Sequence, residues 1–372
     1  MNIIAQKGAV VNISVSEKTA LRIAKANVKR KQRQEDAKKP IMAQWQLHKA
    51  RAVEVAQRMT AAGLPQRGAY IMACGKEIEF TQCKDCGHIQ ITAARLCRDR
   101  MCPVCNWRLS IKRYGIMQNV MQALFAAYPE YAYGLVTLTC ENCKGYALSD
   151  TIDRMQKAWK TLISQRWAKR DIAGWGRSIE VTYNETAHTH HPHYHVIVVS
   201  YNPSTCDKVI EEWLRLAAKN GLKVDKKAQD AEEIHTHTEG KSLAGAICET
   251  YKYSIKATDS LSMPLGELRN LALSMANRRL VSFGGLIKEY LKKLQINDNI
   301  DAEEEAEEEE IIEVCTKCKS QELDHLTAAW VSNRYFVVPS DMCEGVCNPA
   351  IKDTCDEINE QIQKEYLSGE TA

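Results

Sequence analysis

Two Cys-x-x-Cys pairs, separated by fifteen residues, constrain the fold of this 372-residue chain more than any other feature of its sequence. Each pair places two thiolates on one tight turn, and two such turns complete a closed tetrahedral zinc site. The predicted zinc ligands are Cys83, Cys86, Cys102 and Cys105. Cys97 and His88 lie between the pairs, and either could replace one ligand. The sequence therefore predicts a zinc-ribbon-like module with a structural role.

Basic side chains surround the second of these pairs. Arginine binds phosphate oxygens well, so a zinc module that carries several arginines is suited to contact with a DNA backbone. The predicted DNA-binding residues of this module are Arg98, Arg100 and Arg108. A further pair, Cys315 and Cys318, could form a second zinc site with Cys343 and Cys347.

The composition is that of a folded protein in a reducing compartment. Apolar residues make up 45% of the chain and charged residues 26%, which excludes a wholly disordered chain. No apolar run approaches the roughly 18–20 residues of a transmembrane helix, and the N-terminus shows no convincing secretory signal. Without such a signal, fifteen cysteines favour reduced thiols and metal ligation over disulfides. The expected location is the cytoplasm.

The small net charge of +3 conceals two oppositely charged segments. Residues 16–55 hold eleven Lys and Arg against four Asp and Glu, and few helix breakers interrupt them. This pattern predicts a basic helical arm, which is either a solvated surface or a contact for nucleic acid. Residues 301–313 carry nine acidic residues and no basic one, so we expect a linker there.

The region between these segments predicts an α+β fold. Residues 135–139, 178–183 and 193–199 are rich in β-branched residues, as strands are. Residues 150–170 and 207–220 show the apolar spacing of helices. We expect one antiparallel sheet with helices on one side.

Histidines enter the third predicted strand at alternate positions. His193 and His195 therefore share one face of the sheet, about 6.6 Å apart along the chain, while Tyr194 points to the other face. Two imidazoles on one rigid strand can hold a divalent cation and leave positions open for substrate oxygens. Glu180 is the predicted third ligand, in a register that pairs it with His195, and Glu185 is the alternative.

A predicted helix after this sheet carries Glu249 and Tyr253, which are neighbours at i and i+4. Lys252 and Lys256 flank the tyrosine, and nearby cations help a phenol to ionise and act as a nucleophile. Alone, this pattern is equally that of an ordinary amphipathic helix. Beside a histidine strand, it predicts a catalytic tyrosine.

Together these residues resemble plasmid rolling-circle replication initiator (Rep) proteins, a family within the HUH endonuclease class. The resemblance covers about residues 80–290, and its motifs follow the order of the family. The matching segments are residues 97–108, 135–139, 174–184, 191–195, 249–256 and 279–285.

The resemblance implies a metal-dependent enzyme that nicks and rejoins one DNA strand, built on an RRM-like antiparallel sheet. His193 and His195 would bind Mg²⁺ or Mn²⁺, and Tyr253 would form a 5′-phosphotyrosine and free a 3′-hydroxyl for a polymerase. Glu249 would act as general base for the terminating cleavage, and Tyr251 is the rival nucleophile. The implied partners are plasmid origin DNA and a host helicase and polymerase.

The resemblance and the charge pattern together divide the chain into five parts. The expected parts are a basic arm (1–60), a zinc-binding DNA-contact module (61–115), the nicking domain (116–297), an acidic linker (298–314) and a C-terminal cysteine segment (315–372). Two other functions stay open. One is a related transposase or relaxase, for which the extra histidines could supply a three-histidine motif. The other is a non-enzymatic zinc-ribbon DNA-binding regulator.

Overall fold

The computed structural model describes residues 39–235, 241–251, 257–296, 313–340 and 349–370. The helices of this part of the chain are α1 (Ile41–Ala61), α2 (Pro65–Ala73), α3 (Pro103–Ala127), α4 (Leu148–Ser164), α5 (Arg166–Asp171), α6 (Thr205–Lys219), α7 (Leu243–Tyr251), α8 (Ala257–Ser262), α9 (Leu265–Met275), α10 (Gly285–Lys293) and α11 (Pro349–Glu370). The strands are β1 (Glu77–Cys83), β2 (Ile89–Ala94), β3 (Ala132–Thr139), β4 (Ile172–Asn184), β5 (Thr189–Ser200), β6 (Asp230–His235), β7 (Lys241–Ser242), β8 (Val281–Gly284), β9 (Leu323–Val331) and β10 (Arg334–Pro339).

A six-stranded sheet in the order β7–β6–β3–β5–β4–β8 forms the centre of the molecule. Its pairs are antiparallel, except for the short parallel pair of β6 and β7. The long hairpin of β4 and β5 contributes two adjacent strands, and β3 pairs with the other edge of β5. The predicted α+β class with an antiparallel sheet is confirmed.

Helices cover both faces of this sheet, so the prediction of helices on one side is wrong. α4 and α6 pack on the face that carries Val196 and Val198. α3, α7 and α10 pack on the face that carries Ile197 and Val199. The reason lies in the central strand, where four consecutive apolar residues are all buried. A strand of that kind needs an apolar cover on each side.

A smaller antiparallel sheet, in the order β10–β9–β1–β2, joins segments from far apart in the sequence. β9 follows the acidic run, yet it pairs along the whole of β1, from Glu77 opposite Ala329 to Cys83 opposite Leu323. α1 and α11 pack beside this sheet. The C-terminal cysteine segment therefore contributes two strands and a helix to the same module as the first cysteines.

The two sheets are tied together by α3, which crosses the boundary expected at residue 115. Its first turns pack with the small sheet, and Met117, Val120 and Leu124 of its second half pack on the large one. Arg67 adds a second tie, because its guanidinium binds both carboxylate oxygens of Asp99 at 2.6 and 2.8 Å and also donates to the carbonyl of Ala272 in α9.

The charged segments fall mostly outside the described residues. The part of the basic arm before residue 39 and residues 297–312, which hold most of the acidic run, lie outside them. Within the described part of the chain, no helix is both long and apolar enough to cross a membrane.

Candidate active site

Three buried side chains of the large sheet converge at one point. Glu180 lies on β4, and His193 and His195 lie on β5. The Nε2 atom of each histidine is 3.2 Å from the same carboxylate oxygen, Oε2 of Glu180. The three residues are at most 8% exposed. The structure thus brings together the three residues that the sequence proposed as metal ligands.

The strand register differs from the expected one. Glu180 is directly opposite His193, and Ser178 is opposite His195. Because side chains two positions apart share a face, a shift of two residues leaves the carboxylate on the predicted side. Glu185, the alternative ligand, is exposed in the turn that follows β4. Glu180 is therefore the carboxylate at this site.

The Nδ1 atom of each imidazole, on the side of the ring away from Glu180, contacts an oxygen atom. Nδ1 of His193 is 3.2 Å from the carbonyl oxygen of His191, which can only accept, so Nδ1 carries the proton. Nδ1 of His195 is 3.3 Å from Oγ1 of Thr137. Such contacts orient a ligating histidine and leave Nε2 with its lone pair toward the metal.

This donor set fits a divalent cation. Imidazole nitrogens and carboxylate oxygens are ligands that divalent cations take in proteins, and here two imidazoles and one carboxylate converge on one point. Neighbouring ligands of an octahedral ion lie about 3 Å apart when each bond is about 2.1 Å long, close to the separations seen here. Glu180, His193 and His195 are the residues that could hold the ion.

Glu249 lies beside the cluster but outside it. α7 packs on the same face of the sheet as the two histidines, and its Glu249 is 32% exposed. Oε1 of Glu249 is 4.0 Å from Nδ1 of His195, which is the side of the ring away from Glu180. Its carboxylate is thus partly exposed to solvent and lies next to a histidine of the candidate metal site.

Of the two candidate tyrosines, Tyr251 is among the described residues and is buried. Tyr251 is 1% exposed and packs with Val281 and Phe283, and Gly176 on β4 leaves the space that its hydroxyl fills. Burial raises the pKa of Tyr251 far above the usual value for a phenol. It is a core residue. Tyr253, Lys252 and Lys256 lie outside the described residues.

The other face of β5 holds the histidines in place. Tyr194 is buried and meets the ring of Trp213 on α6 edge to face, with ring centres 5.9 Å apart. The guanidinium of Arg177 lies over the same tyrosine ring at 4.2 Å. The predicted packing of Tyr194 away from the histidines is confirmed, and it fixes the strand from behind.

Sequence reasoning missed the role of Thr137. It stands opposite His195 on β3, and its hydroxyl contacts the Nδ1 atom of that histidine. Thr139 stands opposite His193, and its hydroxyl contacts Nε2 of His191, two residues before it on β5. The alternation of side chains in the β3 segment could have indicated this contact, because it places both threonines on the face of the sheet that carries the predicted metal site.

The predicted zinc ligands do not share one site, and that prediction is corrected. The four cysteines divide between two clusters, and two further residues complete each of them. The first cluster contains Cys74, Cys97, Cys102 and Cys105, and the second contains Cys83, Cys86, Cys315 and Cys318. The cysteines are separated by the hairpin of β1 and β2. The turn with Cys83 and Cys86 lies at the tip of this hairpin, and the first cluster lies at its base. β1 is seven residues long, which is about 20 Å of strand.

The first cluster has the geometry of a tetrathiolate metal site. Sγ of Cys105 is 3.5 Å from that of Cys74 and 3.6 Å from that of Cys97. A tetrahedral ion with bonds of about 2.3 Å separates its sulfurs by about 3.8 Å. The amide of Arg98 donates to Sγ of Cys105 at 3.2 Å. Cys97 is thus a member of the set, as the sequence allowed, and Cys74 was missed.

Buried Lys49 complements the charge of this cluster. Its ammonium donates to the carbonyl oxygens of Met72 and Cys74, at 2.6 and 2.7 Å. Burial lowers the pKa of Lys49, while the nearby sulfurs of Cys74, Cys102 and Cys97 act against that shift. A positive charge at this position would offset the negative charge of a metal–thiolate centre.

The three predicted DNA-binding arginines lie around the first cluster in different settings. Arg98 is exposed and has a backbone φ of 59°. Arg100 is half-buried, and its carbonyl accepts from Asn106. Arg108 lies over the rings of Trp45 and Trp107, at 5.5 and 5.8 Å. Arg98 is the most accessible of the three to a ligand.

Comparison with known proteins connects this architecture to a family. Residues 88–336 match the family model described as Replication protein. A Protein rep of Streptococcus pneumoniae serotype 2 is 32% identical over 240 residues, which is 61% of this chain and 72% of that protein. A Protein rep of Lentilactobacillus hilgardii is 30% identical over 66% of this chain and 83% of its own length. A Protein rep of Lactiplantibacillus plantarum is 26% identical over 79% of this chain and 95% of its own length. No solved structure matches.

Proposed function

The chain belongs to the replication protein (Rep) family of plasmid rolling-circle initiators, and from this premise we propose that it starts replication by nicking one strand of its plasmid origin. The observation that carries the proposal is the convergence of Glu180, His193 and His195, with 3.2 Å from each histidine to the carboxylate, beside the partly exposed carboxylate of Glu249. All four residues lie within the segment that matches the family.

Glu180, His193 and His195 would hold one Mg²⁺ or Mn²⁺ ion. When bound, that ion supplies a Lewis acid that polarises the scissile phosphate and stabilises charge on its oxygens. Glu180 offsets the charge of the ion, and Thr137 and the His191 carbonyl keep both imidazoles aimed at it. The sheet around them is buried on both faces, so the site is held rigidly before DNA arrives.

Tyr253 is the proposed nucleophile. Its phenol oxygen forms a bond to the phosphorus, and the bond from phosphorus to the 3′-oxygen breaks. The 3′-oxygen leaves as a hydroxyl that a host polymerase can extend, while a host helicase opens the duplex ahead of it. The phosphodiester energy is kept in the 5′-phosphotyrosine, so the strand can be rejoined. Lys256 favours ionisation of the phenol, and Lys252 contacts the DNA. The burial of Tyr251 supports Tyr253 over its neighbour.

Glu249 is the proposed general base for the water that ends replication. Its carboxylate is 32% exposed and lies 4.0 Å from a metal-site histidine, where a water molecule can reach it. We expect Glu249→Gln to nick at a nearly unchanged rate and to form the tyrosine adduct. Hydrolytic release should slow by about 10²–10⁴-fold, because the amide cannot take a proton.

The measurement for Glu249→Gln is the rate of each step on one supercoiled origin plasmid. His193→Ala is the comparison variant, because it should lose both steps with the ion. If Glu249→Gln loses nicking as completely as His193→Ala, then Glu249 serves the first step, as a ligand or as the base for the tyrosine.

The first cysteine cluster is proposed to hold a structural zinc ion that positions the DNA-contacting arginines. Its loop runs from Cys97 to Cys105, and it carries Arg98 on its exposed side. Four thiolates around the ion close it to substrate, so its role is to shape the loop rather than to catalyse.

The arrangement of the other histidines supports an initiator over a relaxase. His190 is fully buried, and its Nε2 is 2.8 Å from Oε2 of Glu267 on α9. His191 contacts Thr139. The ring centre of His191 lies 5.2 Å from that of His193, but neither His190 nor His191 belongs to the group of converging ligand atoms, whose third member is the Glu180 carboxylate.

The function is tested by incubating the full chain with a supercoiled plasmid that carries the origin adjoining its gene. We expect relaxation that requires Mg²⁺ or Mn²⁺, with one 5′ end blocked by protein. A plasmid without the origin is the control. Binding without cleavage would favour a DNA-binding regulator, and cleavage of transfer-origin DNA instead would favour a relaxase.

A further inference from the structure

The second cysteine cluster joins two parts of the chain that are more than two hundred residues apart. Cys83 ends β1 and Cys86 lies in the turn that leads to β2, whereas Cys315 and Cys318 precede β9. Sγ of Cys83 is 3.4 Å from that of Cys318, and Sγ of Cys86 is 3.6 Å from that of Cys315. All four sulfurs lie within 4.8 Å of one another.

The two Cys-x-x-Cys turns of this cluster repeat the same backbone structure. In each, the residue after the second cysteine donates its amide to the carbonyl of the first, from Gly87 to Cys83 and from Lys319 to Cys315, at 2.8 Å in both. These two residues also share a left-handed conformation, with φ of 62° and 64°. The left-handed conformation costs a lysine free energy, so the contacts around this turn must hold Lys319 in it.

A third shared contact completes the likeness. The amide of the first cysteine in each turn donates five residues ahead, from Cys83 to the carbonyl of His88 at 3.0 Å and from Cys315 to that of Ser320 at 2.7 Å. Each turn is thus held by two backbone hydrogen bonds, and its two sulfurs point to the same side. Two Cys-x-x-Cys turns that face each other are the arrangement found in tetrahedral zinc–thiolate sites.

We propose that Cys83, Cys86, Cys315 and Cys318 bind a second zinc ion, which clasps the C-terminal segment onto the hairpin of β1 and β2. The sulfur separations approach the roughly 3.8 Å of a tetrahedral zinc–thiolate site. Two of the ligands precede the segment that matches the Rep family, which begins at residue 88. The other two, Cys315 and Cys318, lie within that segment.

The contacts next to the cluster explain what the ion would stabilise. The amide of Lys84 donates to the carbonyl of Glu322 at 2.9 Å, and its ammonium is 3.3 Å from a carboxylate oxygen of Asp324. From there β9 continues along β1. The ion would thus fix the residues at which β1 and β9 begin to pair. These strands are more than two hundred residues apart in the sequence, so bringing them together without the ion costs loop-closure entropy.

The proposal is tested by counting zinc in the purified full-length protein, by native mass spectrometry and by elemental analysis. We expect two zinc ions in the wild type and one in Cys315→Ser. The double variant Cys83→Ser/Cys315→Ser should also keep one, because both changes affect the same site. Cys83→Ser/Cys102→Ser should keep none. Cys206→Ser, which alters a cysteine of α6 outside both clusters, should keep two.

Hydrogen exchange measures whether the second zinc ion stabilises the pairing of β9 with β1. In Cys315→Ser, amides of β9 near Leu323 should exchange faster, while those of β5 in the large sheet should not change. One zinc ion in the wild type that survives Cys315→Ser would overturn the proposal, as would a Cys83–Cys318 disulfide in protein purified without oxidant. Loss of both ions in Cys315→Ser would also contradict two independent sites.

Discussion

Replacing Glu180 with glutamine is expected to slow metal-dependent cleavage of origin DNA by at least about 10³-fold. The amide has the shape of the carboxylate but lacks its charge, and it places a donor against two imidazoles. A bound cation lowers the barrier by several kcal/mol, and each 1.36 kcal/mol is a factor of ten in rate. The measurement is the initial rate of nicking at a fixed Mn²⁺ concentration.

A thermal shift separates loss of the ion from loss of the fold. Mn²⁺ should raise the melting temperature of the wild type, because a ligand that binds only the folded state stabilises it. It should leave that of Glu180→Gln unchanged. The matched control is Glu185→Gln, a charge removal in the exposed turn five residues away. Nicking by Glu180→Gln within tenfold of the wild type would contradict its role as a ligand.

Tyr253→Phe is expected to abolish the covalent protein–DNA adduct and to leave DNA binding intact. Only one oxygen atom is removed, but that oxygen is the proposed nucleophile, and a phenyl ring cannot form the phosphodiester. The variant is mixed with labelled single-stranded origin DNA and Mn²⁺, and the products are separated on a denaturing gel.

Tyr251→Phe is the matched control for that experiment. It removes a hydroxyl that is buried in the core behind β4, so it should form the adduct in wild-type yield. An adduct that persists in Tyr253→Phe and disappears in Tyr251→Phe would transfer the nucleophile to the buried residue. It would also require α7 to open before cleavage.

The sequence predicted the strands well because their side-chain alternation is a local property. The strand with His193 and His195 was recognised from its β-branched residues, and its alternation placed Glu180 on the correct face even though the register was displaced by two. Coverage of both sheet faces was missed. The four buried apolar residues from Val196 to Val199 indicated it, but which helices return to which face depends on long-range packing.

The cysteines show where local spacing stops being informative. The pairs at Cys83 and Cys102 have the separation of one zinc ribbon, yet the strands between them carry the two turns to opposite ends of a hairpin. Their true partners are Cys74 and Cys97 for one pair, and Cys315 and Cys318 for the other. The second grouping depends on the pairing of β9 with β1, which sequence spacing cannot reveal.

We propose that Tyr253 attacks origin DNA at a site where Glu180, His193 and His195 would hold a divalent cation. The deciding experiment is to digest the covalent complex formed with Mn²⁺ and to locate the attached nucleotide by mass spectrometry. We predict attachment to Tyr253 through a 5′-phosphate, in wild-type protein with metal, and no attachment in Glu180→Gln or when metal is chelated. Attachment to another residue would contradict the role of Tyr253, and an adduct that forms equally well without metal would contradict the role of the Glu180, His193 and His195 site.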